Sequence, residues 1–326
     1  MSTSDAEPWA TLSGYPCPWL WEREGADWPL RATSTRLSCA RLSWHVQWLG
    51  RGQGRSTILL LHGTFSSSHS WRRLAPKLAE HYQVLMPDLP GHGWTFGARP
   101  EDMAMAGMAE KLLALLEEIG VQPEWVIGHS AGAALAVAMT LRARSSADAL
   151  NGALSAGAAA AAAYLKPKGI VSLNGALLPL TGLGGKLYAP AALVLQRLPG
   201  LARFGAWRSA HSDVVARLLE STGSQLDPDG VAWYRRLASD PGHVAAVMEM
   251  MARWDLPGFA RQLPAYEGRL HLVAGSRDTT IPPSDLRRVL ALLPQARCQV
   301  LRDLGHLAHE EDPETVAELL LELLAR

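Results

Sequence analysis

Short apolar runs alternate with amphipathic segments through most of the chain. The runs at 56–63, 82–93 and 124–130 each end in glycine, proline or serine, as buried parallel strands often do. The segment after the first run, 68–81, has the spacing of a helix, and 35–50 has the alternation of two antiparallel strands. Further strands are predicted at 169–176, 270–278 and 297–306, and further helices at 105–120, 131–144 and 313–326. The pattern predicts an α/β fold with a mostly parallel central sheet flanked by helices.

Two segments interrupt this alternation. Residues 145–163 are rich in alanine and are interpreted as a neutral insertion or helix extension. Residues 177–264 contain several helix-like pieces separated by glycine and proline, and are predicted to form an inserted helical lid. The remaining division is an N-terminal arm at 1–34, rich in tryptophan and proline, and a core made of 35–176 and 265–326.

The amino-acid composition limits which partners the protein can bind and which cellular compartment suits it. The chain has 31 basic and 31 acidic residues, which argues against a nucleic-acid partner because phosphate binding needs an excess of cations. Its three cysteines form no C-x-x-C pair, and the first residues lack a secretory pattern. No apolar stretch is long enough to predict a transmembrane segment. These features favour a reduced, cytoplasmic setting.

The strand at 124–130 runs into Gly-His-Ser-Ala-Gly at 128–132 and then into a helix. A serine with a glycine two residues to each side, at a strand-to-helix turn, is typical of a strained nucleophile elbow. The alternative is an ordinary serine in a glycine- and alanine-rich turn. The placement between strand and helix favours Ser130 as a nucleophile.

A serine nucleophile needs a base, and the base needs an acid that orients it. Asp278 and His306 each follow a predicted parallel strand, where open sheets collect their functional loops. They are the predicted acid and base, and His309 is the main competitor for the base. The stretch 306–312 could also be read as a metal site, but no matching ligand cluster occurs elsewhere in the sequence. No metal and no cofactor are predicted.

Attack by the serine would create an oxyanion, which needs hydrogen-bond donors already in place. Ala131, directly after the serine, is one predicted donor through its backbone N–H. The other is predicted in the loop after the strand at 56–63, with Thr64 favoured and Phe65 second. In that region His62 is expected to brace the loop, and Asp88 to organise the loop after the second parallel strand.

Several apolar side chains of the predicted lid are candidates for binding an apolar substrate. The alternative is that most of them form the small core of the lid. The predicted substrate-binding residues are Leu178, Trp207, Trp233, Met251 and Trp254.

Five stretches together resemble the α/β-hydrolase superfamily over about 35–326: LLLHGTFSSSHSW, MPDLPGHGWT, VIGHSAGAA, VAGSRD and LGHLAHEEDPE. That resemblance implies an α/β-hydrolase fold and a triad of Ser130, Asp278 and His306. Further segments, including SDPGHVAAVMEMMARWDL and STGSQLD in the lid, resemble the magnesium-chelatase accessory proteins of bacteriochlorophyll biosynthesis. The Ala-rich stretch at 145–163 departs from the expected pattern.

The narrower resemblance implies a role beside the magnesium-chelatase subunits, but no defined reaction. One hypothesis is a serine hydrolase acting on an ester or acyl bond of a hydrophobic small molecule, for example a tetrapyrrole. The alternative is a non-catalytic protein that binds a porphyrin or interacts with the chelatase. An intact triad favours retained chemistry, because a pure binder has no need for serine, acid and histidine together.

Overall fold

A computed structural model describes residues 21–150, 165–179 and 200–325. The first twenty residues of the arm, most of the Ala-rich insertion and 180–199 of the predicted lid lie outside the described residues. The described residues contain one eight-stranded sheet, with the strands in the order β1-β2-β4-β3-β5-β6-β7-β8. The pairs β1–β2 and β2–β4 are antiparallel, and all others are parallel. The predicted fold class is therefore confirmed. The strands are β1 (Ser34–Cys39), β2 (Leu42–Leu49), β3 (Thr57–Leu61), β4 (Gln83–Pro87), β5 (Trp125–His129), β6 (Gly169–Leu173), β7 (Arg269–Gly275) and β8 (Arg297–Leu301).

Helices cover both faces of the sheet, which explains why the central strands are mostly apolar. Successive residues of a strand face opposite sides, so Ile58 and Leu60 belong to one core and Leu59 and Leu61 to the other. The helices outside the lid are α1 (Trp21–Glu24), α2 (Ala75–Leu78), α3 (Met105–Glu118), α4 (Ala131–Leu150), α10 (Ser284–Leu292), α11 (Ala308–Glu311) and α12 (Pro313–Leu324). Helices α3 and α4 pack on one face, and α2 and α12 on the other.

The region between β6 and β7 is helical where it is described. Its helices are α5 (Leu201–Ala210), α6 (Val214–Ser221), α7 (Pro228–Ala238), α8 (Pro241–Arg253) and α9 (Leu256–Gln262). Helices α7, α8 and α9 begin alike: Asp227, Asp240 and Asp255 each accept a hydrogen bond from a glycine N–H in the first turn. These caps satisfy N–H groups that a helix start leaves unpaired, and they fix where each helix begins.

The segment 68–81, predicted as one helix, is not continuous. It contains a 3₁₀ turn at Ser68–Trp71 and only the short helix α2. The reason is tertiary: the Ser68 N–H donates to the buried Asp88 carboxylate (2.7 Å), and the Ser70 hydroxyl donates to the Ser67 carbonyl (3.1 Å). These bonds compete with the helical pattern.

Aromatic side chains join the start of the described chain to helix α7. Trp28 contacts Trp233 of α7 at a ring-centroid distance of 5.4 Å and Trp94 at 5.8 Å. Trp21 packs edge-on against Trp94 at 5.0 Å. Among the described residues, no helix has both the length and the apolar character needed to cross a membrane.

Candidate active site

Ser130 lies in a tight turn between β5 and α4, with a backbone φ of 51°. The flanking glycines are needed because the chain passes so close to itself. A Cβ atom on Gly128 would lie 2.4 Å from the Ala133 nitrogen, and one on Gly132 would lie 2.2 Å from the Leu61 carbonyl oxygen. The turn therefore presents the serine side chain at the carboxyl edge of the sheet, as the motif predicts.

The other two predicted triad residues meet Ser130 at this edge. His306 Nε2 lies 3.0 Å from Ser130 Oγ, and His306 Nδ1 lies 2.8 Å from Asp278 Oδ2. Because a carboxylate only accepts, the proton is assigned to Nδ1, which leaves Nε2 to accept the serine proton. Asp278 Oδ1 also accepts the N–H groups of Thr280 and Ile281, both at 2.8 Å, so the acid is held from several sides.

Two further side chains hold this arrangement, and sequence reasoning missed both. Asn174, at the end of β6, donates through Nδ2 to Asp278 Oδ2 (2.8 Å) and to the Gly305 carbonyl (3.2 Å). His129 donates through Nε2 to the backbone carbonyl of His306 (2.9 Å). The sequence did carry one usable signal: Asn174 follows a buried strand at the same sheet edge as the triad residues.

The predicted oxyanion donors belong to the residue after the serine and to the loop after β3. Ala131 is the first residue of α4, and its N–H has no partner four residues back within the helix. The loop after β3 packs directly on the nucleophile, since a Cβ atom on Gly63 would lie 3.0 Å from Ser130 Cβ. Phe65 has a positive φ of 64°, which turns the chain at that point. His62 braces the loop: its Nδ1 donates to the Gly63 carbonyl at 2.8 Å, and its Nε2 accepts the Leu89 N–H at 2.9 Å.

His309 takes a different position from His306. It is fully buried, with its ring 4.5 Å from those of Trp71 and His129. Burial, followed by the charges of His306 and Arg72, lowers the pKa of His309 to about 3. A histidine in this setting is neutral near pH 7 and packs as an aromatic ring.

Asp88 takes part in a second Ser-His-Asp chain away from Ser130. Ser34 Oγ lies 2.9 Å from His45 Nε2, and His45 Nδ1 lies 2.8 Å from Asp88 Oδ2. Burial alone would raise the pKa of Asp88, but the charge of His45 and its hydrogen bond outweigh burial and lower it. Ser34 has ordinary extended backbone (φ −77°, ψ 136°) at the start of β1, without the turn that exposes Ser130. The hydrogen bonds between Ser34, His45 and Asp88 hold β1 and β2 to the loop after β4.

The lid residues predicted to bind substrate are placed in different surroundings. Leu178 is buried in the main core. Trp233 belongs to the aromatic contacts with Trp28 described above, and Trp254 donates through Nε1 to the Met103 carbonyl at 3.1 Å. Met251 is half-buried on α8, and Trp207 on α5 is 57% exposed.

Helix α8 itself reaches the predicted oxyanion loop through other side chains. The Thr64 hydroxyl donates to the Met250 sulfur at 3.9 Å, and the His243 ring lies 5.7 Å from that of Phe65. Burial lowers the pKa of His243 well below its usual value. The two α8 side chains that contact the Thr64–Phe65 loop, Met250 and His243, are therefore uncharged near pH 7.

The described residues hold no group of three or more histidine, cysteine or acidic side chains arranged to bind a metal ion. The site as described consists of a serine, a histidine, a carboxylate, backbone donors and an apolar cover. These groups can support attack of the activated serine hydroxyl on a carbonyl carbon. The acyl group that is then bound to the serine is transferred to water in a second step.

The family model for the α/β hydrolase fold matches residues 56–313. The chain belongs to the α/β-hydrolase family. It is similar to the magnesium-chelatase 30 kDa subunit of Rhodobacter capsulatus, with 33% identity over 92% of this chain and 97% of that protein.

Two further proteins show weaker similarity to this chain. A 2-hydroxy-6-oxononadienedioate/2-hydroxy-6-oxononatrienedioate hydrolase of Pseudomonas putida is 26% identical over 90% of this chain and 97% of its own. A solved thermophilic esterase from Thermogutta terrifontis has a TM-score of 0.65 and 21% identity, covering 90% of this chain and 98% of that one. The likeness to the esterase concerns the fold alone.

Proposed function

We propose that this protein is a serine hydrolase that acts as an accessory factor of magnesium chelatase in bacteriochlorophyll biosynthesis. The observation that carries the hydrolase part is the unbroken chain from Ser130 Oγ to His306 at 3.0 Å and on to Asp278 at 2.8 Å. The accessory part rests on the similarity to the 30 kDa chelatase subunit, which extends over the lid as well as the core.

In the proposed reaction, His306 Nε2 takes the Ser130 proton as Oγ attacks the carbonyl carbon of an ester or acyl group. Asp278 holds the imidazole and stabilises the imidazolium that forms. The backbone N–H groups of Ala131 and Thr64 donate hydrogen bonds to the oxyanion. Phe65 is the alternative to Thr64 as the second donor. His306 then protonates the leaving group, and water activated by the same histidine releases the acyl group from the serine.

The proposed substrate is a hydrophobic small molecule, for example a tetrapyrrole, and the proposed domain division is a core at 35–176 and 265–326 under a lid at 177–264. Met250 and the neutral His243 of α8 contact the Thr64–Phe65 loop, and these uncharged side chains support an apolar substrate. Chelatase subunits are the proposed protein partners. The proposed compartment is the cytoplasm.

Labelling with a fluorophosphonate probe tests the hydrolase part. We expect the wild type and a Ser221→Ala control, which changes an exposed serine of α6, to label equally. Ser130→Ala should not label, because the probe bonds to an activated serine oxygen. Equal labelling of Ser130→Ala, or none of the wild type, contradicts the proposal.

The similarity to a chelatase subunit favours a second candidate, a non-catalytic protein that binds a porphyrin or the chelatase. Comparing pigment output in a producing strain carrying wild type or Ser130→Ala separates the two. Loss of pigment with the folded variant supports catalysis. Unchanged pigment, together with saturable quenching of tryptophan fluorescence by protoporphyrin, supports the binding role.

A further inference from the structure

The described residues concentrate their exposed apolar side chains on one part of the lid. Five large apolar side chains are exposed, and three of them lie on α5 and α6. They are Phe204 (57% exposed), Trp207 (57%) and Leu218 (51%). Scattered exposed apolar residues are ordinary on a protein surface, but a local concentration of this kind marks an interaction site.

On α5 the exposed rings form a continuous row. The Phe204 and Trp207 rings are 6.1 Å apart, and Trp207 stacks on His211 at 5.3 Å. These residues are three and four positions apart, so they project from the same side of the helix. We call Phe204, Trp207 and His211, with the neighbouring Arg203 and Arg208, the α5 ridge.

The opposite side of α5 faces the lid interior. Ala206 and Ser209 are buried, and a Cβ atom on Gly205 would lie 3.6 Å from Val244 of α8. Helix α8 in turn contacts the Thr64–Phe65 loop beside the proposed nucleophile. The α5 ridge is thus the outer surface of the cover over the candidate active site.

The charged side chains of the α5 ridge, Arg203 and Arg208, are both positive. Arg203 and Arg208 are exposed and form no ion pair within the described parts of the chain. Asp213, the nearest acidic residue along the chain, instead pairs with Arg235 of α7 at 3.4 Å. Two aromatic rings between two unpaired guanidinium groups complement a surface that is negatively charged outside and apolar just beneath.

We propose that the α5 ridge docks this protein on an anionic lipid membrane, with Phe204 and Trp207 at the depth of the headgroups and Arg203 and Arg208 on lipid phosphates. Aromatic rings are favoured at the membrane interface, and basic side chains near it gain from the negative surface potential. A helix of ten residues lying flat suits such shallow insertion. A stable protein interface buries about 800 Å² on each partner, which is more than a single helix ridge supplies.

Docking in this orientation would turn the lid toward the lipid. An apolar substrate dissolved in the bilayer would then reach the lid without crossing water. The docking itself does not require hydrolysis by Ser130.

Sedimentation with lipid vesicles tests the proposal. The full-length protein should bind vesicles of equal parts phosphatidylcholine and phosphatidylglycerol, bind pure phosphatidylcholine vesicles weakly, and dissociate as salt is raised. The double variant Phe204→Ser/Trp207→Ser should reduce the bound fraction by about ten-fold or more, because the inserting rings are lost. Arg203→Gln/Arg208→Gln should also reduce it by about ten-fold, on anionic vesicles only.

Matched controls change the same residue types elsewhere. Leu292→Ser/Val300→Ser removes the other two exposed apolar side chains, and Arg287→Gln/Arg297→Gln removes two exposed arginines outside the lid. Both controls should bind as the wild type does. Trp207→Phe should retain binding, because it keeps an inserting ring.

Several results overturn the proposal. One is wild-type protein that fails to bind anionic vesicles, and another is a ridge variant that binds as well as the controls. A wild-type dimer that Phe204→Ser/Trp207→Ser converts to monomers, without vesicle binding, would identify the ridge as a contact between copies. Loss of chelatase-subunit binding in the ridge variants, with vesicle binding absent, would identify a protein-docking face. Ser130→Ala protein should bind vesicles normally, so a failure of the proposed chemistry leaves this test intact.

Discussion

Asn174 touches the acid and the loop of the base at the same time. One amide nitrogen donates to the Asp278 carboxylate at 2.8 Å and to the Gly305 carbonyl, directly before His306, at 3.2 Å. Its backbone φ of 48° lets the chain turn back toward the acid after β6. Asn174 therefore acts as a positioning residue in the proposed mechanism, since it fixes the carboxylate relative to the imidazole.

Asn174→Gly should slow fluorophosphonate labelling of Ser130 by about ten-fold, which corresponds to losing one hydrogen bond to a charged group. Glycine tolerates the positive φ, so the change removes the amide without straining the backbone. The rate constant of labelling, measured with a matched circular dichroism spectrum, gives the result. In the double variant with Asp278→Ala, Asn174→Gly should have little further effect, because its acceptor is gone. Fully additive effects would mean that Asn174 acts through the fold in general.

The triad residues could be predicted from the sequence, whereas Asn174 and His129, which hold the triad in place, could not. Ser130 sits in a motif whose glycines are required locally, and Asp278 and His306 each follow an apolar strand. Asn174 and His129 act through bonds to residues 104 and 177 positions away. No local pattern reports such partners.

At the scale of elements, the sheet was predictable because its central strands are buried on both faces and are therefore mostly apolar. The helix predicted at 68–81 failed because the Asp88 carboxylate captures the Ser68 N–H. The helices that the structure describes within 177–264 could be predicted from the sequence, but the surroundings of their large side chains could not. Trp207 and Trp233 are both tryptophans, but Trp207 lies on the surface and Trp233 packs against Trp28.

One buried group joins the lid to the core near the proposed base. The Tyr234 hydroxyl of α7 donates to Glu310 Oε1 at 2.7 Å, and Arg72 Nη1 donates to Glu310 Oε2 at 2.5 Å. Burial raises the pKa of Glu310 to about 6, even though Arg72 and Tyr234 lower it. Glu310 belongs to α11, which begins two residues after His306, so this contact couples α7 to the segment that carries the proposed base.

Tyr234→Phe should loosen α7 on the core, because it leaves a buried carboxylate oxygen without its donor. We expect the free energy of unfolding to fall by about 1–3 kcal/mol. Amide hydrogen exchange should rise in 228–238 and 308–311, with little change in β3 and β5. Tyr82→Phe, which alters a tyrosine hydroxyl at the edge of the core, is the control. An unchanged exchange pattern in Tyr234→Phe would rule out this coupling.

At the scale of the whole molecule, the chain buries an unusual set of neutral histidines. Burial is the main cause that lowers the pKa of six of them: His62, His69, His92, His129, His243 and His309. Most lie at the carboxyl edge of the sheet, near the candidate site or under the lid. Their neutral rings add no charge to this region at neutral pH.

These histidines make the folded state sensitive to acid. In the unfolded chain each takes up a proton below its ordinary pKa of 6.5, while the folded chain resists protonation until a lower pH. The stability they contribute is therefore present above pH 6.5 and is lost as pH falls below it. Each such histidine lowers the free energy of unfolding by up to about 1.4 kcal/mol per pH unit in that window. Glu310 acts in the opposite direction between pH 4.5 and about 6, because its pKa is raised on folding.

Urea unfolding at pH 7.5, 6.5 and 5.5 should show a steep loss of stability below pH 6.5. His309→Phe should make this slope shallower by up to about 1.4 kcal/mol per pH unit, because it removes one proton taken up on unfolding. Phenylalanine suits the position, since His309 packs between Trp71 and His129 and neither ring nitrogen has a partner in the described residues. His81→Gln, which replaces an exposed histidine, is the control. If the slope of His309→Phe matches that of His81→Gln, the acid sensitivity has another origin.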